Sequence, residues 1–185
     1  MQTLSDNSIA QEMTSAATSK TAPVKTAAPA ASASAKPSKR PFEVRNSKIH
    51  GRGVFATEKI AKGARLIEYT GETIPWSVAD RRYADNGKNG YHTFLFDIDG
   101  KKVIDAAVGG NDSRWINHGC APNCEAVGED DRIFIEAIKA IKTGEELVYD
   151  YGFVFDERHT PSLKARYKCL CGARACRGTM VAKKR

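Results

Sequence analysis

Arg114-Trp115-Ile116-Asn117-His118-Gly119-Cys120-Ala121-Pro122-Asn123 brings two amides, an imidazole and a thiol into one short stretch. Downstream lie Gly144-Glu145-Glu146-Leu147-Val148-Tyr149-Asp150-Tyr151-Gly152 and then Cys169-Leu170-Cys171, four residues, and Cys176. A histidine beside a cysteine admits a metal site or a thiol nucleophile. A cysteine nucleophile also requires a base and an oxyanion hole, and Gly119-Cys120 has no recognisable setting of that kind. Cys169, Cys171 and Cys176 form a tighter constellation. Zinc takes four ligands and binds thiolates well, so three clustered cysteines need one more ligand.

Working outward, the chain of 185 residues allows one domain with extensions. The first aromatic residue is Phe42, and residues 1–40 are mostly Ala, Ser, Thr, Lys and Pro. Too little apolar surface is present there to offset the entropy of ordering, and Pro23, Pro29 and Pro37 interrupt any helix. Residues 1–40 are therefore expected to be a disordered basic tail, with the folded part running from about Pro41 to Met180. The N-terminus does not read as a secretory signal, and no apolar run is long enough to span a membrane. Five cysteines without an export signal suggest reduced thiols or metal ligands, hence an intracellular protein. The net charge is +7, and the last 22 residues carry eight basic side chains and no acid. The basic ends can meet nucleic acid or an acidic partner, or simply be solvated; no aromatic platform accompanies the tail charges.

The pattern between the ends is of short strands separated by turn signals. Arg65–Thr70 stops at Gly71. Phe94, Phe96 and Ile98 alternate with Leu95 and Asp97. Asp99-Gly100 supplies a hairpin turn that needs positive φ, and Val103-Ile104 begins the return. Arg132–Ala137 alternates after Glu129-Asp130-Asp131, and Leu147–Tyr151 follows the turn at Thr143-Gly144. One helix is expected, capped by Ser77, formed by Val78 to Ala84 and ended by Asn86-Gly87. A helical turn is expected at Asp112–Asn117. The fold class is mainly β with short helices. A doubly wound α/β fold would need βα alternation that is absent.

These motifs, in this order, resemble the R-F-x-N-H-x-C-x-P-N, E-L-x-x-D-Y and C-x-C-x4-C signatures of SET-domain protein lysine methyltransferases. His50-Gly51-Arg52-Gly53-Val54-Phe55 is similar to that family's H-G-x-G-[LV]-F segment, and Glu68-Tyr69-Thr70-Gly71-Glu72 to its E-Y-x-G-E strand. The resemblance covers roughly residues 42–180 and is nearest to compact trithorax-like domains without a pre-SET region. It implies a β-clip-like fold with a pseudoknot, in which the Asn117 and Asp150-Tyr151 segments cross. The domain would occupy 41–152, a post-SET zinc segment 153–180 and a basic end 181–185. Trp115 stands where phenylalanine or tyrosine is usual, and Gly119 where serine is common.

The resemblance further implies transfer of a methyl group from S-adenosylmethionine to a lysine amine. Tyr151, Tyr69 and Tyr149 would be the catalytic and channel-lining residues. His50, Arg52, Gly53, Phe94, Asn117, His118 and Tyr151 would contact the cofactor, largely through backbone atoms, so His118 would not shuttle protons. Cys120 would complete a Zn2+ site with Cys169, Cys171 and Cys176, leaving Cys124 as a buried free thiol. Tyrosine at 149 tilts the product toward mono- or dimethylation. The substrate would be a histone tail or another basic protein, with Glu129, Asp130 and Asp131 either bordering its groove or forming a solvated turn. The setting would be chromatin in a nucleus, or a bacterial cytoplasm or infected host. Two other readings stay open: an inactive SET module that binds lysine-bearing tails, and a small zinc protein that binds nucleic acid.

Overall fold

The alternation in the sequence becomes a series of short strands in the computed structural model, which describes residues 20–21, 25–26, 40–84, 94–155 and 157–183. In chain order these are β1 (Lys20–Thr21), β2 (Lys25–Thr26), β3 (Phe42–Asn46), β4 (Arg52–Ala56), β5 (Arg65–Tyr69), β6 (Glu72–Pro75), β7 (Leu95–Asp97), β8 (Lys102–Asp105), β9 (Asn117–His118), β10 (Cys124–Glu129), β11 (Arg132–Ala137), β12 (Val148–Tyr149) and β13 (Phe153–Val154). Among the described residues two helices accompany them, α1 (Trp76–Arg82) and α2 (Pro161–Arg166), with a 3-10 turn at Asp112–Trp115.

Several small sheets result. β5 pairs with β11 and β11 with β10, all antiparallel. β8 lies between β6 and β7, and β3 pairs with β4. The inward residues meet in one core. Val54, Ile133, Ile135, Ile141 and Leu147 are fully buried there beside Tyr69, Phe96 and Tyr149. Each aliphatic side chain so buried contributes roughly 1.5–3 kcal/mol. A second cluster of Phe155, Leu163, Tyr167 and Val181 holds the C-terminal segment. Among the described residues no helix is long and apolar enough to cross a membrane.

The crossing that a pseudoknot requires is present. β12 runs parallel to β9, with Val148 opposite Asn117 and Tyr149 opposite His118. Asn123 fastens the crossing from the side. Its Oδ1 accepts the Val148 N–H at 2.8 Å, and its Nδ2 donates to the Glu146 carbonyl at 2.8 Å.

Local details depart from expectation for identifiable reasons. Ser77 lies inside α1, whose N-cap is Pro75 without a side-chain cap; the fixed φ of proline suits a helix start. The expected stop at Asn86-Gly87 lies outside the described residues. At the β7–β8 turn only Gly100 takes positive φ, at 76°. Asp99 shapes the turn through its carboxylate instead, accepting the N–H groups of Lys101 and Lys102 at 2.9 and 2.8 Å. The strand expected over Leu147–Tyr151 narrows to Val148–Tyr149 because only that pair finds a partner in β9. α2 was not anticipated, although Thr160 caps it by accepting the Leu163 N–H at 3.1 Å and Pro161 follows. Two dipeptides of the 1–40 stretch, β1 and β2, pair with β13 and β10, where free strand edges offer unpaired backbone groups; most of the rest of that stretch lies outside the described residues.

Candidate active site and cysteine cluster

The site forms where β9 and β12 cross, and Asn117 is its fastener. Its buried Nδ2 donates to the carbonyls of His50 at 3.3 Å and Arg52 at 2.9 Å, and to Glu146 Oε1 at 2.8 Å. The glycine loop is thereby pinned to β9 through backbone atoms. Glu146 also accepts the Ser47 hydroxyl at 2.7 Å, so one carboxylate ties loop and crossing together. Gly53 is required by this approach. A Cβ at that position would overlap the Glu146 carboxylate and lie 2.9 Å from Ser47 Cβ. Gly53→Ala is expected to destabilise the fold by about 1–3 kcal/mol, measured by denaturant unfolding; an unchanged midpoint would remove the steric claim.

Three of the expected residues, Tyr69, Tyr149 and Tyr151, come together in a file of rings. Ring centroids are 5.2 Å apart for Tyr69 and Phe96, 6.2 Å for Phe96 and Tyr149, and 4.9 Å for Tyr149 and Tyr151. Phe153 continues the file 5.6 Å beyond Tyr151. Burial holds all three phenols well above their ordinary pKa, so they are neutral. Two hydroxyls are fixed: Tyr151 donates to the Ile116 carbonyl at 2.8 Å and Tyr69 to the Phe94 carbonyl at 3.0 Å. Phe94 meets Trp115 edge-on at 5.1 Å. Trp115 in turn lies under the guanidinium groups of Arg52 and Arg114, at 4.9 and 4.8 Å. The tryptophan thus links the glycine loop to the tyrosine end. The glycine at 119 has its own reason, since a Cβ there would meet Val148 at 2.6 Å.

His118 stands between this file and the cysteines. Burial pulls its pKa down to about 4, Asp150 opposing and Arg177 assisting, so the ring is neutral near pH 7. Nδ1 accepts the Tyr151 N–H at 3.2 Å, and Nε2, left with the proton, lies 3.3 Å from Cys120 Sγ. One imidazole therefore positions both the tyrosine backbone and a thiol. Arg177 adds a second tether. It grips Asp150 through two bonds of 2.5 and 2.7 Å, and its own N–H donates to Cys120 Sγ at 3.4 Å. Burial alone would raise the Asp150 carboxyl, but Arg177 outweighs it and the net pKa is lowered.

Cys120, Cys169, Cys171 and Cys176 converge, with all sulfurs within 4.8 Å of one another. Cys120 Sγ is 3.6 Å from that of Cys169 and 3.9 Å from that of Cys176. A tetrahedral zinc with 2.3 Å bonds spaces its sulfurs by about 3.8 Å, so the set fits that metal. Every one of the four sulfurs also accepts a backbone N–H, from Arg177, Cys171, Cys120 and Gly178 respectively. Burial pushes the Cys171 thiol up, but hydrogen bonds from the Cys120 and Ala173 backbone and from its neighbours bring it to about 7, which favours thiolate. Cys124 stands apart, buried, with burial pushing its thiol to about 12.

The sequence reading missed Glu146, Asn123 and Phe153, although the first two lie inside its quoted motifs. Two of the acids at 129–131 carry ion pairs: Glu129 with Arg65 at 2.5 Å and Asp131 with Lys102 at 2.5 Å.

The crossing, the glycine loop and the cysteine cluster together define a SET domain with a post-SET segment. The SET domain family matches residues 51–152, and the chain belongs to that family. It is 40% identical over 135 residues to Histone-lysine N-methyltransferase trithorax of Drosophila melanogaster, covering 71% of this chain and 3% of that protein. It is 43% identical over 145 residues to Histone-lysine N-methyltransferase, H3 lysine-4 specific, of Neurospora crassa, covering 76% of this chain and 11% of that protein. The chain thus spans only a small part of the length of these relatives. Among solved structures, ctPRC2 in an autoinhibited conformation bound to S-adenosylmethionine matches with a TM-score of 0.55 and 36% identity, over 62% of this chain and 15% of that one.

Proposed function

We propose that this chain is a protein-lysine N-methyltransferase that uses S-adenosylmethionine and acts on a histone or a similarly basic protein. The observation that carries the reading is the convergence of Tyr69, Tyr149 and Tyr151 beside the Asn117–His118 crossing. The names of its relatives, and the S-adenosylmethionine bound by ctPRC2, agree with it.

S-adenosylmethionine, when bound, supplies a methyl group on a cationic sulfur. The protein residues suit such a partner. His50, Arg52 and Gly53 present the loop backbone that Asn117 pins. A neutral His118 adds no positive charge beside a sulfonium, and the aromatic rings attract a cation through their faces. A lysine amine has an ordinary pKa of about 10.4 and must lose a proton before it can attack. A channel walled by Tyr69, Phe96 and Tyr149 disfavours the charged form by excluding water. Tyr151, fixed on the Ile116 carbonyl, offers an oriented hydroxyl that needs no rearrangement. Cys120, Cys169, Cys171 and Cys176 would hold Zn2+, which keeps the post-SET segment against His118 and Asp150.

An inactive module that only binds lysine-bearing tails is the second reading, and the retention of all three tyrosines favours activity. Contact with nucleic acid would fall to the basic C-terminal surface, where Arg158, His159, Lys164 and Lys183 line one open cavity. With a chromatin substrate, the setting would be a nucleus.

Incubation with histones and isotopically labelled cofactor, followed by mass spectrometry, tests the reading. Labelled methyl-lysine is expected, as mono- and dimethyl forms. Tyr149→Phe is expected to stay active and shift the mixture toward higher methylation, because the lost hydroxyl leaves room beside the amine. Cofactor binding without any methyl-lysine would favour the inactive module. An unaltered mixture in Tyr149→Phe would overturn the specificity claim alone.

A further inference from the structure

Three stretches of the C-terminal segment, 158–164, 175–179 and 181–183, close around one open cavity of about 680 Å3. Thr179 and Val181 are buried at its floor. Arg158, His159, Lys164 and Lys183 line it above, and Arg177 lies in its wall. Among the described residues no acid lines the cavity. Arg177 is paired with Asp150 at 2.5 and 2.7 Å, whereas Arg158, Lys164 and Lys183 have no acidic partner among the described residues. From residue 164 to 183 the sequence holds no Asp or Glu, so neighbours along the chain do not offset these charges. Unpaired cations gathered on one surface make a field that draws anions. We propose that this cavity grips the phosphodiester backbone of duplex nucleic acid, so that the enzyme modifies basic proteins held on that duplex.

The wall of the cavity selects this ligand over an acidic peptide. A peptide held as an added strand needs free backbone groups, and here they are taken. Thr179 is bridged to Lys168 on one side, and Val181 to Phe153 on the other. The N–H of Met180 goes to the Tyr167 carbonyl at 2.8 Å, that of Val181 to Thr179 Oγ1 at 3.3 Å and that of Ala182 to the Phe153 carbonyl at 2.8 Å. Recognition therefore falls to side-chain cations, which suit a ligand that repeats a negative charge. Lysine meets a phosphate as a point charge and arginine through its planar fork. No Phe, Tyr or Trp among the described residues lines the cavity, so it lacks the platform on which unpaired bases stack. A duplex held by its backbone, without regard to sequence, is the form that fits.

Arg177 joins the cavity to the site. Its guanidinium lies in the cavity wall and grips Asp150, the residue before Tyr151, while its backbone N–H donates to Cys120 Sγ at 3.4 Å. A duplex on the cavity thus lies beside the tyrosine file rather than in it, and a basic protein bound to that duplex is brought near the tyrosines. This consequence rests on the methyl transfer proposed above; the grip on the duplex does not.

The first test uses the full chain without cofactor and a short fluorescently labelled DNA duplex of mixed sequence, read by anisotropy over a series of salt concentrations. Binding is expected, with the logarithm of affinity falling against that of salt at a slope of about −3, one phosphate each for Arg158, Lys164 and Lys183. Arg158→Glu combined with Lys164→Glu should weaken binding by about tenfold or more and flatten the slope by about 2. Lys183→Glu should do the same on a smaller scale. Lys59→Glu combined with Lys62→Glu makes an equal charge change on exposed side chains outside the cavity and should keep the wild-type slope. An equal loss in that control would reduce the effect to net charge and overturn the site. So would an absence of duplex binding, or capture of polyglutamate in preference to the duplex. The second test adds labelled S-adenosylmethionine and compares free histone with histone assembled on DNA. The Arg158 and Lys164 double variant should match the wild type on free histone and fall several-fold behind it on the assembled form. Equal rates on the assembled form would overturn the role in presenting substrate. No transfer by any of the proteins, with duplex binding intact, would overturn the proposed activity and leave the cavity's ligand standing.

Discussion

Tyr151→Phe is expected to slow methyl transfer by about a hundredfold or more, the usual cost of removing one preorganised hydroxyl or amide donor at a reacting centre. The ring stays, and with it the contacts to Tyr149 at 4.9 Å, His118 at 5.4 Å and Phe153 at 5.6 Å. Only the hydroxyl that donates to the Ile116 carbonyl at 2.8 Å is lost. That buried carbonyl then lacks a partner, so a loss of about 1–3 kcal/mol in stability is expected as well. The variant should still fold, bind cofactor and hold metal. A wild-type rate would show that the hydroxyl has no part in the reaction. Loss of cofactor affinity as large as the loss of rate would move its role from transfer to binding.

The second large effect is expected from Cys169→Ser. Cys169 is buried, and its sulfur lies 3.6 Å from that of Cys120. Structural zinc in small domains supplies folding free energy on the order of 10–16 kcal/mol, and beside the cysteines the post-SET segment is held by the small Phe155, Leu163, Tyr167 and Val181 cluster and by the Arg177–Asp150 pair. Removal of one ligand should release the segment, and with it the Arg177 grip on Asp150 and the Cys120 partner of His118. Wild-type protein should contain about one zinc per chain. The variant should contain much less, and transfer should fall by about a hundredfold or more, the order seen when a reacting centre loses its preorganisation. The sheets of β5, β10 and β11 should persist in circular dichroism. Cys124→Ser, altering a buried thiol outside the cluster, should leave the metal content unchanged. Full activity in metal-free protein would contradict the coupling of post-SET segment and site.

Much of the site was legible because its chemistry uses rare residue types at fixed spacings. Three cysteines within the span 169–176 announce a metal, and family resemblance supplied the fourth from Cys120; the sulfur positions agree. Tyr69 and Tyr149 sit on strands whose alternation could be read, Tyr151 follows just beyond β12, and the three meet. Asn117 was placed at the cofactor, but its grip on the loop carbonyls depends on two segments distant in sequence. Glu146 escaped notice for a related reason. An acid beside a Thr-Gly turn reads as solvated, and only the crossing brings Asn117 and Ser47 to it. Asn123 was quoted without a role because its partners, the Glu146 carbonyl and the Val148 N–H, lie at and just before β12. The cap of α1 was misplaced because Ser77 is a common capping residue and Pro75 offers no side-chain acceptor. The pairing of β1 with β13 was not legible at all. Lys20–Thr21 lies in a stretch whose composition gives no local reason for a strand, and an edge strand recruits its partner through backbone groups that any sequence carries.

The central claim is that the crossing of β9 and β12 builds a site for methyl transfer to lysine. The measurement that tests it most directly is a single-turnover reaction of the full chain with isotopically labelled S-adenosylmethionine and a histone-tail peptide, with the labelled atom located by tandem mass spectrometry. The account predicts label on a lysine side-chain nitrogen in the wild type and a strongly reduced yield in Tyr151→Phe over the same time. Label on another residue type, or none in a protein shown to bind both cofactor and peptide, would contradict it.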